Sequence, residues 1–87
     1  MPDSETLALI NELAQVLKAR GLVCATAESC TGGLIGAALT SVSGSSEWYV
    51  GGVISYVNSV KTGLLGVKEA DLEAQGAVSE PVVRSMA

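Results

Sequence analysis

The stretch Thr26-Ala27-Glu28-Ser29-Cys30-Thr31-Gly32-Gly33 constrains this chain more than any other. An apolar run over residues 22–27 leads into it, and an apolar-periodic run over residues 34–39 leads out. That order reads as strand, tight turn, helix. Such a turn presents small and hydroxylated side chains beside N–H groups that the first turn of a helix leaves unpaired. Glu28, Ser29, Cys30 and Thr31 crowd four reactive side chains into it. Gly32 and Gly33 permit backbone angles that a Cβ would forbid and let a ligand approach the main chain. A Gly-Gly pair that merely eases a strand into a helix is the plainer reading. The turn alone does not decide between the two.

Length and composition narrow the classes. With 87 residues the chain suits one small domain. A domain of that size buries only about 60–65% of its unfolded surface, so it gains from cover by another chain. Hydrophobic residues make up 48%, yet Trp48, Tyr49 and Tyr56 are the only aromatics. An aliphatic composition suits helices packed on a mostly parallel sheet. The net charge is −4, and the five basic residues are scattered singly, so no direct nucleic-acid partner is expected. Cys24 and Cys30 form neither a C-x-x-C pair nor a zinc spacing. Histidine is absent, which excludes a His-based metal site or a Ser-His relay within the chain. No metal or cofactor is expected. The first residues, with Asp3, Ser4 and Glu5, do not read as a signal peptide. No apolar run approaches the ~20 residues of a membrane span. These features predict a cytoplasmic protein with reduced thiols and no membrane partner.

Leu7, Ile10, Leu13, Ala14 and Leu17 recur at helical spacing, with acids early, bases late and Gly21 after the last periodic residue. This predicts a helix over residues 4–20. Residues 22–27 read as a strand buried on both faces. A second helix is expected over residues 31–41, with Gly36, Ala37 and Ala38 allowing close packing. Residues 42–46 read as a loop, and residues 48–56 as a second strand. Gly51-Gly52 interrupts that strand, marking a bulge or a close backbone neighbour. Asn58 is expected to cap a short helix over residues 59–65, closed by Gly66. Residues 68–74 read as another short helix. Ser79 is expected to cap a last one carrying Pro81 in its first turn. Two strands make a poor sheet by themselves. Further strands of a longer domain, or a second copy in a homo-oligomer, are expected to complete it.

Ser29 is the candidate nucleophile, and without histidine its base must be Lys61, Glu28 or a tyrosinate. In an α/β layout the ends of both strands converge on one sheet edge, which lets Ser29 and Lys61 meet. A lysine serves as a base only where desolvation or a nearby cation lowers its pKa. Tyr56 could hold the amine or relay a proton, and Ser45 and Ser46 could bind a carboxamide or phosphate. Each residue also has a plainer role. Lys61 reads equally as a solvated surface charge, Tyr56 as half-buried core, Ser45 and Ser46 as turn residues, and Glu28 as a helix cap. Cys24 is expected in the core, and Cys30 remains an alternative nucleophile.

Five ordered motifs carry a resemblance. They are Ala27-Glu28-Ser29-Cys30-Thr31-Gly32-Gly33, Gly44-Ser45-Ser46 with Trp48, Ser55-Tyr56-Val57-Asn58 with Lys61, Leu65-Gly66-Val67, and Gly76-Ala77-Val78-Ser79-Glu80. Together they resemble the CinA C-terminal domain family, from the first helix to the last residue. The resemblance implies a three-layer α/β/α fold with a mixed, mostly parallel sheet, of which residues 1–87 would be the N-terminal part. It also implies hydrolysis of the carboxamide of nicotinamide mononucleotide (NMN) to nicotinic acid mononucleotide and ammonia, in pyridine-nucleotide salvage. Carried over, Ser29 is the nucleophile, Lys61 its base and Tyr56 a supporting residue. Glu28, Cys30, Thr31, Gly32, Gly33, Ser45, Ser46 and Asn58 would bind substrate, with N–H groups beside Cys30 and Thr31 as oxyanion donors. Family domains continue beyond the residue matching Ala87, so the chain would hold one half of the domain and could be inactive alone. The alternative is a non-catalytic association module in competence or DNA-damage responses.

Overall fold

The computed structural model describes residues 2–87. Its elements run α1 (Ser4–Arg20), β1 (Cys24–Glu28), α2 (Leu34–Thr40), a 3-10 turn (Ser45–Glu47), β2 (Tyr49–Ile54), α3 (Asn58–Gly63), α4 (Glu69–Gln75) and α5 (Glu80–Met86). β1 and β2 pair in parallel as a two-stranded sheet, and the class is α/β as expected. The chain divides into two compact units, residues 1–26 with 33–52, and residues 27–32 with 53–87.

In the first unit α1 has the predicted bounds. Asp3 caps its start, its carboxylate accepting from the Thr6 N–H at 2.8 Å. Gly21, left-handed at φ +64°, closes it, donating to the Lys18 carbonyl while Leu22 donates to that of Leu17. This closure corrects the strand prediction. The Leu22 N–H is spent on the helix cap, so β1 starts at Cys24, and Leu22 and Val23 are exposed outside it. Nor is β1 buried on both faces, since Ala25 is exposed. α2 starts at Leu34 rather than residue 31, because Gly32 and Gly33 stand at φ +70° and +101°, outside any right-handed helix. It stops where the Thr40 and Ser41 hydroxyls donate to the Gly36 and Ala38 carbonyls. The core of this unit is Ile10, Ala14, Leu39 and Trp48, with Cys24 packed against it as predicted. Burying a side chain such as Ile10 or Leu39 contributes about 1.5–3 kcal/mol.

β2 runs unbroken through Gly51-Gly52, and the alternative of a close backbone neighbour holds. A Cβ at Gly52 would collide with Thr26 Oγ1 and lie 2.7 Å from the Thr26 carbonyl oxygen. The strand ends at Ile54, two residues short of the expected end. Trp48 precedes it, and its carbonyl accepts from the Cys24 N–H at 2.8 Å.

In the second unit Val67, Val82 and Met86 form the core, with Ala27, Leu65 and Leu72 packed on it, and α4 lies against α5. Asn58 is not the cap of α3 but its first residue. The extended Val57 precedes it, and its carbonyl accepts from the Val60 N–H. α3 ends at Gly63, before the expected Gly66. Ser79 does occupy the cap position of α5, but its hydroxyl donates to the Gly76 carbonyl instead of accepting from the helix. Among the described residues no helix is long and apolar enough to cross a membrane, and no group of three or more His, Cys, Asp or Glu could hold a metal ion.

Candidate active site

The turn after β1 is bent more sharply than its sequence indicates. The Thr31 N–H donates to the Ser29 carbonyl at 2.9 Å, a bond that skips a single residue, and that residue, Cys30, has φ +71°. A three-residue turn with its centre at positive φ is rare and strained. Cys30 is the one non-glycine residue with positive φ among those described. The strain costs on the order of 1–3 kcal/mol and persists only where the surroundings enforce it. The turn leaves Ser29 half-buried and Cys30 exposed, with Ser29 Oγ 3.6 Å from Cys30 Sγ. It also alters one expected role. The Thr31 N–H is engaged inside the turn rather than offered to a substrate oxyanion.

Lys61 departs furthest from its plainer reading. It sits on α3, but only 1% of its surface is exposed. Its Nζ donates to the Ser55 carbonyl at 2.5 Å. Ser55, fully buried just after β2, donates twice to the Glu28 carbonyl, from its N–H at 2.7 Å and its hydroxyl at 3.0 Å. Three hydrogen bonds therefore run from the buried amine to the residue that precedes Ser29. The Glu28 side chain is buried as well.

Other expected contributors take no part in that chain of bonds. Tyr56 is 73% exposed, so it is not half-buried core, and the amine it was expected to hold is instead bonded to the Ser55 carbonyl. Asn58 is exposed and lines an open cleft of about 350 Å³ with Ser59, Thr62, Glu69, Leu72 and Glu73. Thr31 and Gly32 are exposed on the turn. Gly33, Ser45 and Ser46 belong to the first unit. Gly33 precedes α2, while the Ser45 N–H and carbonyl serve the 3-10 turn, bonded to the Val42 carbonyl and the Trp48 N–H. Ser55 is the residue sequence reasoning missed. It was visible only as the first member of the Ser55-Tyr56-Val57-Asn58 motif, six positions before Lys61.

The strained turn leaves the Ser29 hydroxyl half-buried, and α3, the element after β2, carries a lysine withdrawn from water, all within an α/β fold. The chain belongs to the CinA C-terminal domain family, whose pattern matches residues 6–87. The nicotinamide-nucleotide amidohydrolase PncC of Escherichia coli K12 is 48% identical over all 87 residues, which make up 53% of that protein. A CinA-like protein of Nostoc sp. is 54% identical over 80 residues, 92% of this chain and 19% of the relative. Among solved structures, the competence/damage inducible protein CihA of Agrobacterium tumefaciens superposes with a TM-score of 0.95 at 38% identity, over 100% of this chain and 53% of its own. An Escherichia coli protein of the CinA superfamily gives 0.90 at 35% identity, over 100% and 51%. The chain spans about half the length of the amidohydrolases it matches.

Proposed function

We propose that this chain carries the nucleophile and base of an amidohydrolase that converts NMN to nicotinic acid mononucleotide and ammonia. One observation carries the reading. A lysine on a short helix is ordinarily solvated, and burying its amine without a task is costly; Lys61 is nonetheless buried and bonded through Ser55 to the residue beside Ser29. The family and the amidohydrolase relatives supply the substrate class.

In the proposed reaction, the Lys61 amine acts as the base and takes the Ser29 proton as Oγ adds to the carboxamide carbon. The C–N bond then breaks, and Lys61 returns that proton to the departing ammonia. A water molecule, deprotonated by the same amine, adds to the resulting ester, and Ser29 leaves with that proton to restore its hydroxyl; the carboxylic acid formed then gives its own proton to the released ammonia. Tyr56, exposed beside Ser55, is free to contact the pyridine ring. Glu28, Cys30, Thr31, Gly32, Gly33, Ser45, Ser46 and Asn58 are proposed as further substrate contacts. A cytoplasmic location is proposed along with that substrate. Self-association is proposed from the exposed aliphatic residues, such as Leu9, Leu13 and Val16 on α1 and Val50 and Ile54 on β2.

The test is ammonia release from NMN, followed with a coupled glutamate dehydrogenase assay for wild type, Ser29→Ala and Lys61→Ala. Release by the wild type alone is expected. Undiminished release by Ser29→Ala, with loss in Cys30→Ala, would move the nucleophile to the thiol. No release by the wild type joined to the rest of a family domain would favour the association module instead.

A further inference from the structure

We propose that Ser55 is a positioning residue for Lys61, its buried hydroxyl aiming the peptide carbonyl that holds the lysine amine. Ser55 has no exposed surface, and no side chain in the chain of bonds lies between it and Lys61 Nζ. Its N–H and its hydroxyl both donate to one acceptor, the Glu28 carbonyl, at 2.7 and 3.0 Å. Two bonds from one residue to one oxygen lock the Ser55 side chain in a single rotamer and stop the main chain from turning about that contact. The Ser55 carbonyl thereby keeps one direction, and Lys61 Nζ meets it at 2.5 Å.

A buried hydroxyl must recover the hydrogen bonds it gave up to water. Alanine would occupy nearly the same space with nothing to recover, and the Ser55 N–H would still satisfy Glu28. The strand contact therefore has no need of the hydroxyl. What the hydroxyl adds is direction. An amine with one N–H held by a fixed carbonyl can swing only about that single bond, which confines where its lone pair points. The catalytic consequence rests on the amidohydrolase reading given above, but the aiming of Lys61 does not, so the two are measured separately.

The first readout is the rate of reductive methylation of Lys61, resolved by peptide mass spectrometry, in wild type, Ser55→Ala, Ser55→Cys and Ser55→Thr, each checked by circular dichroism. Lys61 should be modified roughly ten- to a hundredfold faster in Ser55→Ala, partly so in Ser55→Cys, whose thiol is a weak donor, and near the wild-type rate in Ser55→Thr. The second readout is NMN turnover. A misaimed base should lower kcat by roughly ten- to a hundredfold with KM little changed, and threonine should restore it. A folded Ser55→Ala with wild-type Lys61 protection overturns the proposal, as does failure of both the alanine and cysteine variants to fold, which would make the hydroxyl purely structural. A wild type that releases no ammonia even when joined to the rest of a family domain, with Lys61 still unmasked in Ser55→Ala, overturns the amidohydrolase reading and leaves the positioning role standing.

Discussion

Gly52→Ala tests the close approach of the two strands. A Cβ there would collide with Thr26 Oγ1, lie 2.7 Å from the Thr26 carbonyl oxygen and 3.1 Å from the Tyr49 hydroxyl. The Thr26 hydroxyl could swing away, at the loss of its 2.8 Å hydrogen bond to the Tyr49 hydroxyl, worth about 0.5–1.5 kcal/mol. The carbonyl cannot move without shifting β1, and overpacking of that kind costs about 1–3 kcal/mol. The sum is about 1.5–4.5 kcal/mol, from a total of about 5–10 kcal/mol for a chain of this size. In urea unfolding followed by circular dichroism, the unfolding free energy should fall by that amount, and the midpoint by that amount divided by an unchanged slope. Thr26→Ala with Gly52→Ala should recover only part of the loss, because the carbonyl remains. Gly63→Ala is the control. That glycine lies in α3 with open space around it, so alanine there should stabilise by about 0.5–1 kcal/mol. A Gly52→Ala protein within about 0.5 kcal/mol of wild type would refute the reasoning.

Ser29→Ala and Lys61→Ala act on one chemical step, so ammonia release by the double variant should match that of the slower single variant; additive losses would separate their roles. Lys61→Arg should be nearly inactive, because guanidinium keeps its proton, and substantial turnover would show that Lys61 supplies only positive charge. Ser45→Ala and Ser46→Ala are expected to raise KM for NMN more than they lower kcat, and unchanged steady-state kinetics would remove both from the substrate contacts. Asp3 gives a pH signature. Its bond from the Thr6 N–H lowers its pKa below the usual 3.8, so the cap's contribution is complete above that value and is lost as pH falls through the lowered one. Thermal unfolding of wild type and Asp3→Asn, which caps without titrating, should diverge below about pH 3.8; parallel curves would contradict it.

Where the side-chain period decided structure, the sequence was a reliable guide. α1 follows from its apolar spacing and its terminal glycine, and both of its bounds are as expected. Errors gather where main-chain hydrogen bonds decide. Residues 22 and 23 read as strand because they are apolar, but the helix cap claims the Leu22 N–H. α2 begins late because Gly32 and Gly33 are left-handed, and a glycine in a sequence permits that conformation without announcing it. The α/β class and the placing of Ser29 on a turn after the first strand were legible. The burial of Lys61 was not, since a lysine between Val60 and Thr62 on a six-residue helix looks like any exposed cation. Nor was Ser55, whose part depends on a carbonyl and on burial that no residue letter encodes.

The handedness of the turn after β1 bears on how variation among relatives should be read. Gly32 and Gly33 occupy angles that nearly every other residue resists, whether or not a ligand is ever bound. Constancy at those two positions across a set of homologues would therefore report main-chain geometry and say nothing about substrate. Position 30 is different. It bears the same left-handed angle, yet holds a cysteine where glycine would relieve the strain. A side chain kept there across distant homologues would be evidence of selection on chemistry, and a drift to glycine or asparagine would be evidence against it.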